Sequence, residues 1–401
     1  MKKERNIIIL LASINFTHII DFVIIMPLGP QLMRKMLISP QQFGLIVSVY
    51  TISAAISGFL CSFFADKFDR KKIILLAYFV FLIGTLLCGL ARTYEVLLVA
   101  RIVAGLGGGI LTSQVNAVIG DLIPYERRGK AMGMLGMAFS LASIIGVPLG
   151  LFLGNHWSWE FAFYFIVVIG IIIFPLIWLI LPNIDTHLTD EKYNPFAILD
   201  SVLKDKSQQL GLCLMASVMM GSFMIIPFVS PYMVANVGFK ETDLTYIYLV
   251  GGLATLFSSP YVGKMSDKIG KFKVLRFVIL ISIFPILVIT NLAEVHLYTA
   301  LIISSIFFIF ISARHAPANA IISNLTPSHL RGSYMSLISS TQNLTAGVAS
   351  LLTGFIVVKN TNGQLLYYNY AGFIAIFFAF VCVYVAYLLK QELIKSNHFS
   401  E

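Results

Sequence analysis

The sequence predicts an all-α polytopic membrane protein whose twelve transmembrane helices form two pseudo-symmetric bundles of six. Three observations predict this class. The chain of 401 residues is 58% hydrophobic and only 12% charged, with a mean hydropathy of +0.87, whereas soluble domains are roughly 45–50% apolar and 25% charged. The apolar residues are gathered in stretches of membrane-spanning length. The two halves of the chain also share short motifs.

Each apolar stretch is long enough to cross a bilayer, because a hydrocarbon core of roughly 30 Å takes about 20 helical residues. We number the predicted helices span 1 to span 12 in chain order. They cover residues 7–29, 42–64, 73–91, 95–119, 130–154, 161–181, 210–234, 244–263, 274–292, 297–322, 333–357 and 367–389.

The basic residues indicate the orientation of the chain. A net charge of +9 is compatible with nucleic-acid binding, but Lys and Arg are not clustered on one basic face. They are concentrated in the connectors predicted to lie on the same side of the membrane as the N-terminus. Cytoplasmic connectors of membrane proteins are enriched in Lys and Arg. We therefore expect both termini in the cytoplasm, an inner (cytoplasmic) membrane location and no nucleic-acid partner.

An internal repeat divides the chain into two units. The segment "LIPYERRGKAM" at 122–132 aligns with "LTPSHLRGSYM" at 325–335, and "FADKFDRKK" aligns with "KMSDKIGKFK" at nearly the same offset. Parallel six-span repeats are one established organisation of transporters. The predicted domains are an N-terminal bundle at 1–181, a polar cytoplasmic linker at 182–209 and a C-terminal bundle at 210–401.

Prolines predict kinks in spans 1 and 7 and a break or bend in span 10, because they remove a helical hydrogen bond and clash with the preceding turn. Pro27 and Pro30 lie near the end of span 1, Pro227 and Pro231 lie in span 7, and Pro317 lies in span 10. Polar groups beside a broken helix often line a cavity.

Asp21 lies inside the apolar run of span 1, where a charged carboxylate is costly. Burial favours its protonated form, so the acid can take up and release a proton as the pathway changes sides. Asn15, Thr17 and His18 precede it on or near one helix face. A structural hydrogen bond to a neighbouring helix is the alternative role, but we expect Asp21 to couple transport to protons.

Arg101 lies inside span 4 and needs a carboxylate, a carbonyl or water as its partner. We expect it to face Asp21 and to exchange partners during the transport cycle. The alternative is that its side chain extends to the lipid headgroups at the nearer membrane surface.

Other polar or aromatic side chains inside the spans are candidates for a central substrate cavity. Arg314, His315 and Asn319 beside Pro317 are also compatible with an inner gate or an interfacial anchor. The full predicted substrate-cavity set is Asn15, His18, Tyr50, Gln114, Tyr232, Arg314, His315, Asn319 and Gln342.

Several motifs resemble those of the major facilitator superfamily. "GFLCSFFADKFDRKK" between spans 2 and 3 is similar to its G-x(7)-D-x-x-[GD]-R-[RK] signature, through Gly58, Asp66, Asp69, Arg70 and Lys71. "ARIVAGLGGG" in span 4 resembles the R-x-x-x-G pattern of the drug-efflux branch, through Arg101 and Gly105. "SIIGVPLGLFLG" in span 5 partly resembles the antiporter motif, through Gly146, Pro148 and Gly150, with the proline one place late.

The resemblance extends over the chain and is greatest to the arabinose-efflux-permease-like group of drug and sugar exporters. It implies that the signature residues form a latch with Asp121 on the cytoplasmic side. The glycines form small-residue faces that let helices approach and slide. Without the resemblance, these small-residue faces are interpreted as ordinary packing contacts between helices.

We therefore expect a proton-coupled efflux antiporter of small organic solutes, acting by alternating access. Proton-coupled import and a transport-inactive sensor or scaffold remain alternatives. An enzyme is disfavoured because no catalytic or nucleotide-binding motif is evident in the sequence. The expected partners are a small-molecule substrate, protons and the lipid bilayer, with no cofactor or metal, and the protein is expected to be a monomer.

Overall fold

The computed structural model describes residues 2–64, 68–123, 131–135, 138, 141–184, 197–326 and 331–395. Almost every described segment is helical, as predicted. In the first half the helices are Lys2–Ile24 and Gly29–Lys35 (span 1), Pro40–Phe64 (span 2), Arg70–Leu90 (span 3), Tyr94–Leu122 (span 4), Val147–His156 after a π-helical turn at Ala142–Gly146 (span 5), and Glu160–Ile180 (span 6).

The second half begins with a short connector helix, Ala197–Lys204. The helices that follow are Lys206–Phe223 and Ile226–Ala235 (span 7), Glu241–Ile269 (span 8), Lys271–Thr290 (span 9), Leu297–Ala313 and His315–Ile322 (span 10), Arg331–Ile356 (span 11) and Tyr368–Lys395 (span 12). A two-residue antiparallel ladder, Val358–Lys359 with Leu365–Leu366, closes the loop between spans 11 and 12.

The helix is interrupted in each of the spans where prolines predict a kink or a bend, spans 1, 7 and 10. Span 1 is interrupted at residues 25–28, span 7 at Met224 and Ile225, and span 10 at Arg314. The breaks in spans 7 and 10 lie two or three residues before a proline, as expected from the clash of a proline ring with the turn before it. The predicted start of span 7 was late, because Asp205 caps that helix: its carboxylate accepts from Ser207 N at 2.8 Å.

The helix starts repeat along the chain. Span 2 and span 8 begin at Pro40 and Glu241, and span 3 and span 9 begin at Arg70 and Lys271, so each pair is separated by 201 residues. This spacing matches the offset of the sequence motifs and supports a duplicated unit.

Nine helical segments in the described chain, spans 1–4, 6, 7, 9, 10 and 12, are long and apolar enough to cross a membrane. The described parts of spans 5, 8 and 11 are helical but are shorter or more polar. Spans 8 and 11 pack against spans 5 and 2 of the first half. Part of their surface is therefore covered by protein, and it does not need lipid-facing side chains.

The helix ends define two sides of the molecule. The termini side is the one where span 1 begins and span 12 ends; Lys206 at the start of span 7 and Glu392 near the end of span 12 meet there at 3.8 Å. The far side is the opposite one. Near the far side the two halves are in close contact: a Cβ on Gly44 of span 2 would lie 2.9 Å from Cα of Gly354 on span 11.

Candidate functional site

Asp21 and Arg101 form a fully buried ion pair between spans 1 and 4. Arg101 Nη1 donates to Asp21 Oδ2 at 2.8 Å and to the Asp21 backbone oxygen at 3.1 Å, and both side chains are 0% exposed. The alternative in which Arg101 extends to the lipid headgroups is therefore wrong for this structure. The carboxylate holds the guanidinium inside the bundle.

The pair is incompletely satisfied by its surroundings. Asp21 Oδ1 and Arg101 Nε and Nη2 have no hydrogen-bond partner among the residues that the structure describes. Thr85 lies beside the carboxylate, but its hydroxyl donates to Phe81 O at 3.0 Å. A buried ionised group without its full set of hydrogen bonds is costly. Oδ1 is consequently a position where an added proton would relieve charge.

Aromatic rings connect this pair with the second half of the molecule. The guanidinium carbon of Arg101 lies 4.2 Å from the ring centroid of Tyr50 on span 2, a cation–π distance. Tyr50 stacks on Phe22 of span 1 at 5.6 Å, and Phe22 stacks on Phe223 of span 7 at 5.7 Å. Contiguous packing therefore leads from the buried charges to a helix of the other half.

Asn15 and His18 lie together on span 1, next to a small crevice between the halves. His18 Nε2 is 2.9 Å from Asn15 Oδ1 and 3.5 Å from Thr112 Oγ1. Thr112 lines the crevice, which opens between spans 2, 4 and 11. The crevice lining is Ala54, Gly58, Gly109, Thr112, Ser113, Ser336, Ser339, Ser340 and Asn343.

Glycines set the helix spacing around the ion pair. A Cβ on Gly105 would collide with Ser53 Oγ and Tyr50 O, so this glycine brings span 4 against span 2. Span 5 contacts span 1 in the same way: a Cβ on Gly146 would collide with Ile20.

The contact between spans 5 and 1 repeats at each of the next two helical turns. A Cβ on Gly150 would lie 2.8 Å from Ile24 Cδ1, and one on Gly154 would lie 3.0 Å from Leu28 Cδ2. Pro148 is buried in the first turn of the helix that follows the π-helical turn. The π-helical turn itself faces span 8, since a Cβ on Gly252 would lie 3.1 Å from Ile144 Cγ1.

Three of the predicted latch residues, Asp69, Arg70 and Asp121, lie together on the termini side of the first half, whereas Gly58 lines the crevice. Arg70 Nε donates to Asp121 Oδ2 at 2.6 Å, which ties the start of span 3 to the end of span 4. Asp69 caps span 3 by accepting from Lys71 N at 2.8 Å, and it also accepts from Ile184 N at 3.1 Å. The signature Asp66 lies outside the described residues.

Two residues near this cluster differ from their expected surroundings. Gln114 was predicted in the substrate cavity, but its Oε1 accepts from Arg70 Nη1 at 3.3 Å and its amide nitrogen lies 3.2 Å from Cys61 Sγ. It therefore belongs to the Arg70 cluster. Lys71 Nζ lies 5.4 Å from the ring centroid of Trp178 at the end of span 6.

In the second half, Arg314 occupies the break in span 10 and is 1% exposed. It donates through Nη2 to Ser282 Oγ of span 9. His315 and Asn319 follow it and are half-buried, and Gln342 on span 11 is half-buried as well.

Tyr232, the remaining member of the predicted cavity set, lies on the far-side part of span 7. Its hydroxyl donates to Leu292 O at 3.1 Å, and its ring packs on Tyr368 at 4.8 Å. These contacts with the end of span 9 and the start of span 12 hold Tyr232 within the second bundle.

A polar clamp on the far side joins the halves, and sequence reasoning did not identify it. Arg34 Nη2 donates to Glu241 Oε2 at 3.1 Å, with Nη1 2.8 Å from Oε1. Asn155 at the end of span 5 donates to Glu241 O at 3.1 Å and lies 3.5 Å from Thr245 Oγ1, while Gln31 donates to Asn155 Oδ1. An acidic residue such as Glu241 is common in the first turn of a helix, where it interacts with the positive end of the helix dipole. Its local sequence therefore gives no indication of a partner in the other half.

Helices of membrane-spanning length that enclose a buried ion pair and pack through small-residue seams define a polytopic α-helical membrane protein. Comparison with known proteins identifies the family. The model of the Major Facilitator Superfamily matches residues 11–206 and 211–399. The chain belongs to the Major Facilitator Superfamily.

Individual relatives match shorter parts of the chain than the family model does. The uncharacterized MFS-type transporter YtbD of Bacillus subtilis is 25% identical over 227 residues, 56% of each chain. Multidrug resistance protein 3 of Bacillus subtilis is 36% identical over 129 residues, 32% of this chain and 25% of the relative. The chain spans about half of the first curated relative and 34% of each of the next two.

The fold itself is that of solved transporters. The crystal structure of a D-xylose-proton symporter matches with a TM-score of 0.76 at 16% identity, covering 94% of this chain and 96% of the symporter. At this identity the likeness establishes the fold and not the substrate.

Proposed function

We propose that the protein is a proton-coupled antiporter that exports small organic solutes by alternating access. The buried Asp21–Arg101 pair carries this proposal. Its carboxylate has one oxygen at 2.8 Å from the guanidinium and a second oxygen without a described partner. Protonation of the free oxygen weakens the attraction of Asp21 for Arg101, and proton release restores it.

The packing around the pair supports a link between protonation and conformational change. When Asp21 loses its charge, its contact with Arg101 weakens, and the other described partners of Arg101 are the Asp21 backbone oxygen, the Tyr50 ring and the Cys88 thiol. A shift of Arg101 would move Tyr50, and through Phe22 it would act on Phe223 in the other half. A ligand can drive a conformational change only through a difference in its affinity for the two states. Here the proton is that ligand.

The predicted cavity residues other than Gln114 remain part of the proposal. Asn15 and Tyr50 both contact His18, and His18 reaches the crevice through Thr112, so we assign the first contacts of the solute to these three residues. The domain limits at 181 and 210, the cytoplasmic termini, the inner membrane location and a monomeric state are likewise proposed. The name of one relative, a multidrug resistance protein, favours export of drug-like solutes.

The test is solute accumulation in inverted membrane vesicles whose lumen is acidified. Antiport predicts that at least one solute from a panel of drug-like amines, sugars and organic acids accumulates in the lumen, and that an uncoupler abolishes the accumulation. Asp21→Asn should reduce gradient-driven accumulation by at least tenfold, with solute exchange at equal pH retained.

The matched control is Asp200→Asn, the same change at an exposed residue. Asp200 makes a surface pair with Lys204 at 2.6 Å, so its loss should leave accumulation unchanged. Gradient-driven depletion of the lumen would instead establish import in symport with protons. If neither the pH gradient nor Asp21→Asn changed the flux of any transported solute, proton coupling would be rejected.

A further inference from the structure

Arg314 is a buried cation, and no carboxylate among the described residues pairs with it. Its guanidinium lies within the second bundle, with Nη2 on Ser282 Oγ and with no hydrogen-bond partner for Nε among the described residues. The Ser282 hydroxyl donates to Ile279 O at 2.5 Å, so its oxygen serves to hold the arginine. Gly221 of span 7 packs closely against the group, because a Cβ there would lie 3.1 Å from Arg314 Nη1.

The sequence of the second half supplies no acid at the depth of Arg314. Every described carboxylate after residue 205 lies at or beyond a helix end: Glu241, Asp243, Asp267, Glu294 and Glu392. Arg101 in the first half has Asp21, but Arg314 has no equivalent partner within the described spans. A buried guanidinium stays charged and is strongly disfavoured without an anion.

We propose that Arg314 binds an anionic group, a carboxylate, carried by the transported solute. The planar guanidinium is suited to carboxylates. The helix that follows the break in span 10 carries the half-buried polar residues His315 and Asn319, which can add hydrogen bonds to a bound carboxylate. This inference rests on the proposed transport function and adds a substrate class to it, the small organic anions.

The test is thermal unfolding of the purified full-length protein with matched probes. Acetate is compared with acetamide and benzoate with benzamide, and sodium chloride serves as the inorganic anion. We expect each carboxylate to raise Tm by several degrees in a saturable manner, with no shift from the amides. Arg314→Met should abolish the shift, and Arg314→Lys should keep part of it.

A second variant guards against misfolding. Ser282→Ala leaves the charge in place but frees the guanidinium, and it should raise the half-saturating benzoate concentration by about three- to tenfold. Without probe, Arg314→Met should unfold at or above the Tm of the unsubstituted protein, because replacing an unpaired buried charge by an apolar side chain of similar size is neutral or stabilising.

The outcomes separate this proposal from proton coupling. Asp21→Asn should retain the carboxylate shift even where it abolishes gradient-driven flux. The proposal is overturned if chloride alone raises Tm, if the amides act like the carboxylates, or if Arg314→Met leaves the shift intact. Gradient-driven transport of neutral solutes with no carboxylate shift would overturn the anion site and leave the antiporter standing.

Discussion

Removing the far-side clamp should increase the population in which the far side is open. Asn155→Ala deletes the contacts of the Asn155 amide with Glu241 O and Thr245 Oγ1, at 3.1 and 3.5 Å, which cross between the halves. Hydrogen bonds contribute about 0.5–1.5 kcal/mol each, and the longer one is weak, so we expect a loss of about 1–2 kcal/mol. Since about 1.4 kcal/mol is a factor of ten, the open population should rise roughly five- to thirtyfold.

The ion pair in the clamp should contribute less. Arg34 is 65% exposed where it meets Glu241, and exposed pairs contribute about 0.2–1 kcal/mol. Arg34→Ala should therefore raise the open population by about 1.4- to 5-fold. Arg92→Ala is the matched control: Arg92 is 78% exposed and lies 3.6 Å from Glu160, but both residues belong to the first half. Its loss should leave the open population unchanged.

Thiol labelling measures this population directly. Ser48→Cys introduces a thiol at a buried residue of span 2. This residue lies at the contact between the halves, because a Cβ on Gly347 of span 11 would lie 3.1 Å from the Ser48 backbone oxygen. With the exposed Cys213 replaced by serine, the labelling rate by an impermeant maleimide added to the far side reports opening. The reasoning is refuted if Asn155→Ala leaves the rate unchanged, or if Arg92→Ala accelerates it as much as Arg34→Ala does.

Three further predictions concern the ion pair and its packing. Asp21→Asn should lower Tm because it strands Arg101, whereas Asp21→Asn with Arg101→Met should recover most of the loss; a double variant no more stable than the single one would contradict this. Gly105→Ala should destabilise the protein by about 1–3 kcal/mol by separating spans 2 and 4, while Gly263→Ala, where a Cβ meets nothing within 4 Å, should be neutral or stabilising. Tyr50→Leu should reduce gradient-driven flux about tenfold through the loss of a cation–π contact, and Tyr50→Phe, which keeps the ring, should retain most of it; equal losses in the two variants would point to the hydroxyl instead.

The fold was largely predictable because the bilayer imposes its own length and polarity on each helix. Hydropathy located the spans, and prolines located the three breaks. The exact ends were less accessible, since they depend on individual caps such as Asp205. The polarity of spans 8 and 11 reflects their contact with the first half, a tertiary property that a hydropathy average does not contain.

The site was predictable where one residue stood out against its surroundings. Asp21 and Arg101 are charges within apolar runs, and two such charges in one bundle have a strong reason to pair. Gln114 gave no such signal: an amide in an apolar helix is equally suited to a cavity and to the Arg70 cluster in which it lies. The clamp between Asn155 and Glu241 was inaccessible to sequence because its partners lie 86 residues apart, at helix ends where polar residues are ordinary.

The glycines of span 5 have a mechanical consequence for the acid. Gly146, Gly150 and Gly154 each pack against one apolar side chain of span 1, in the order Ile20, Ile24 and Leu28. Asp21 directly follows Ile20 in the sequence. A slide or tilt of span 5 would therefore press on the turn of span 1 that carries the carboxylate. Because the same helix touches span 8 at Ile144, apolar packing connects the second half with the turn of span 1 that carries Asp21, without any charged group in between.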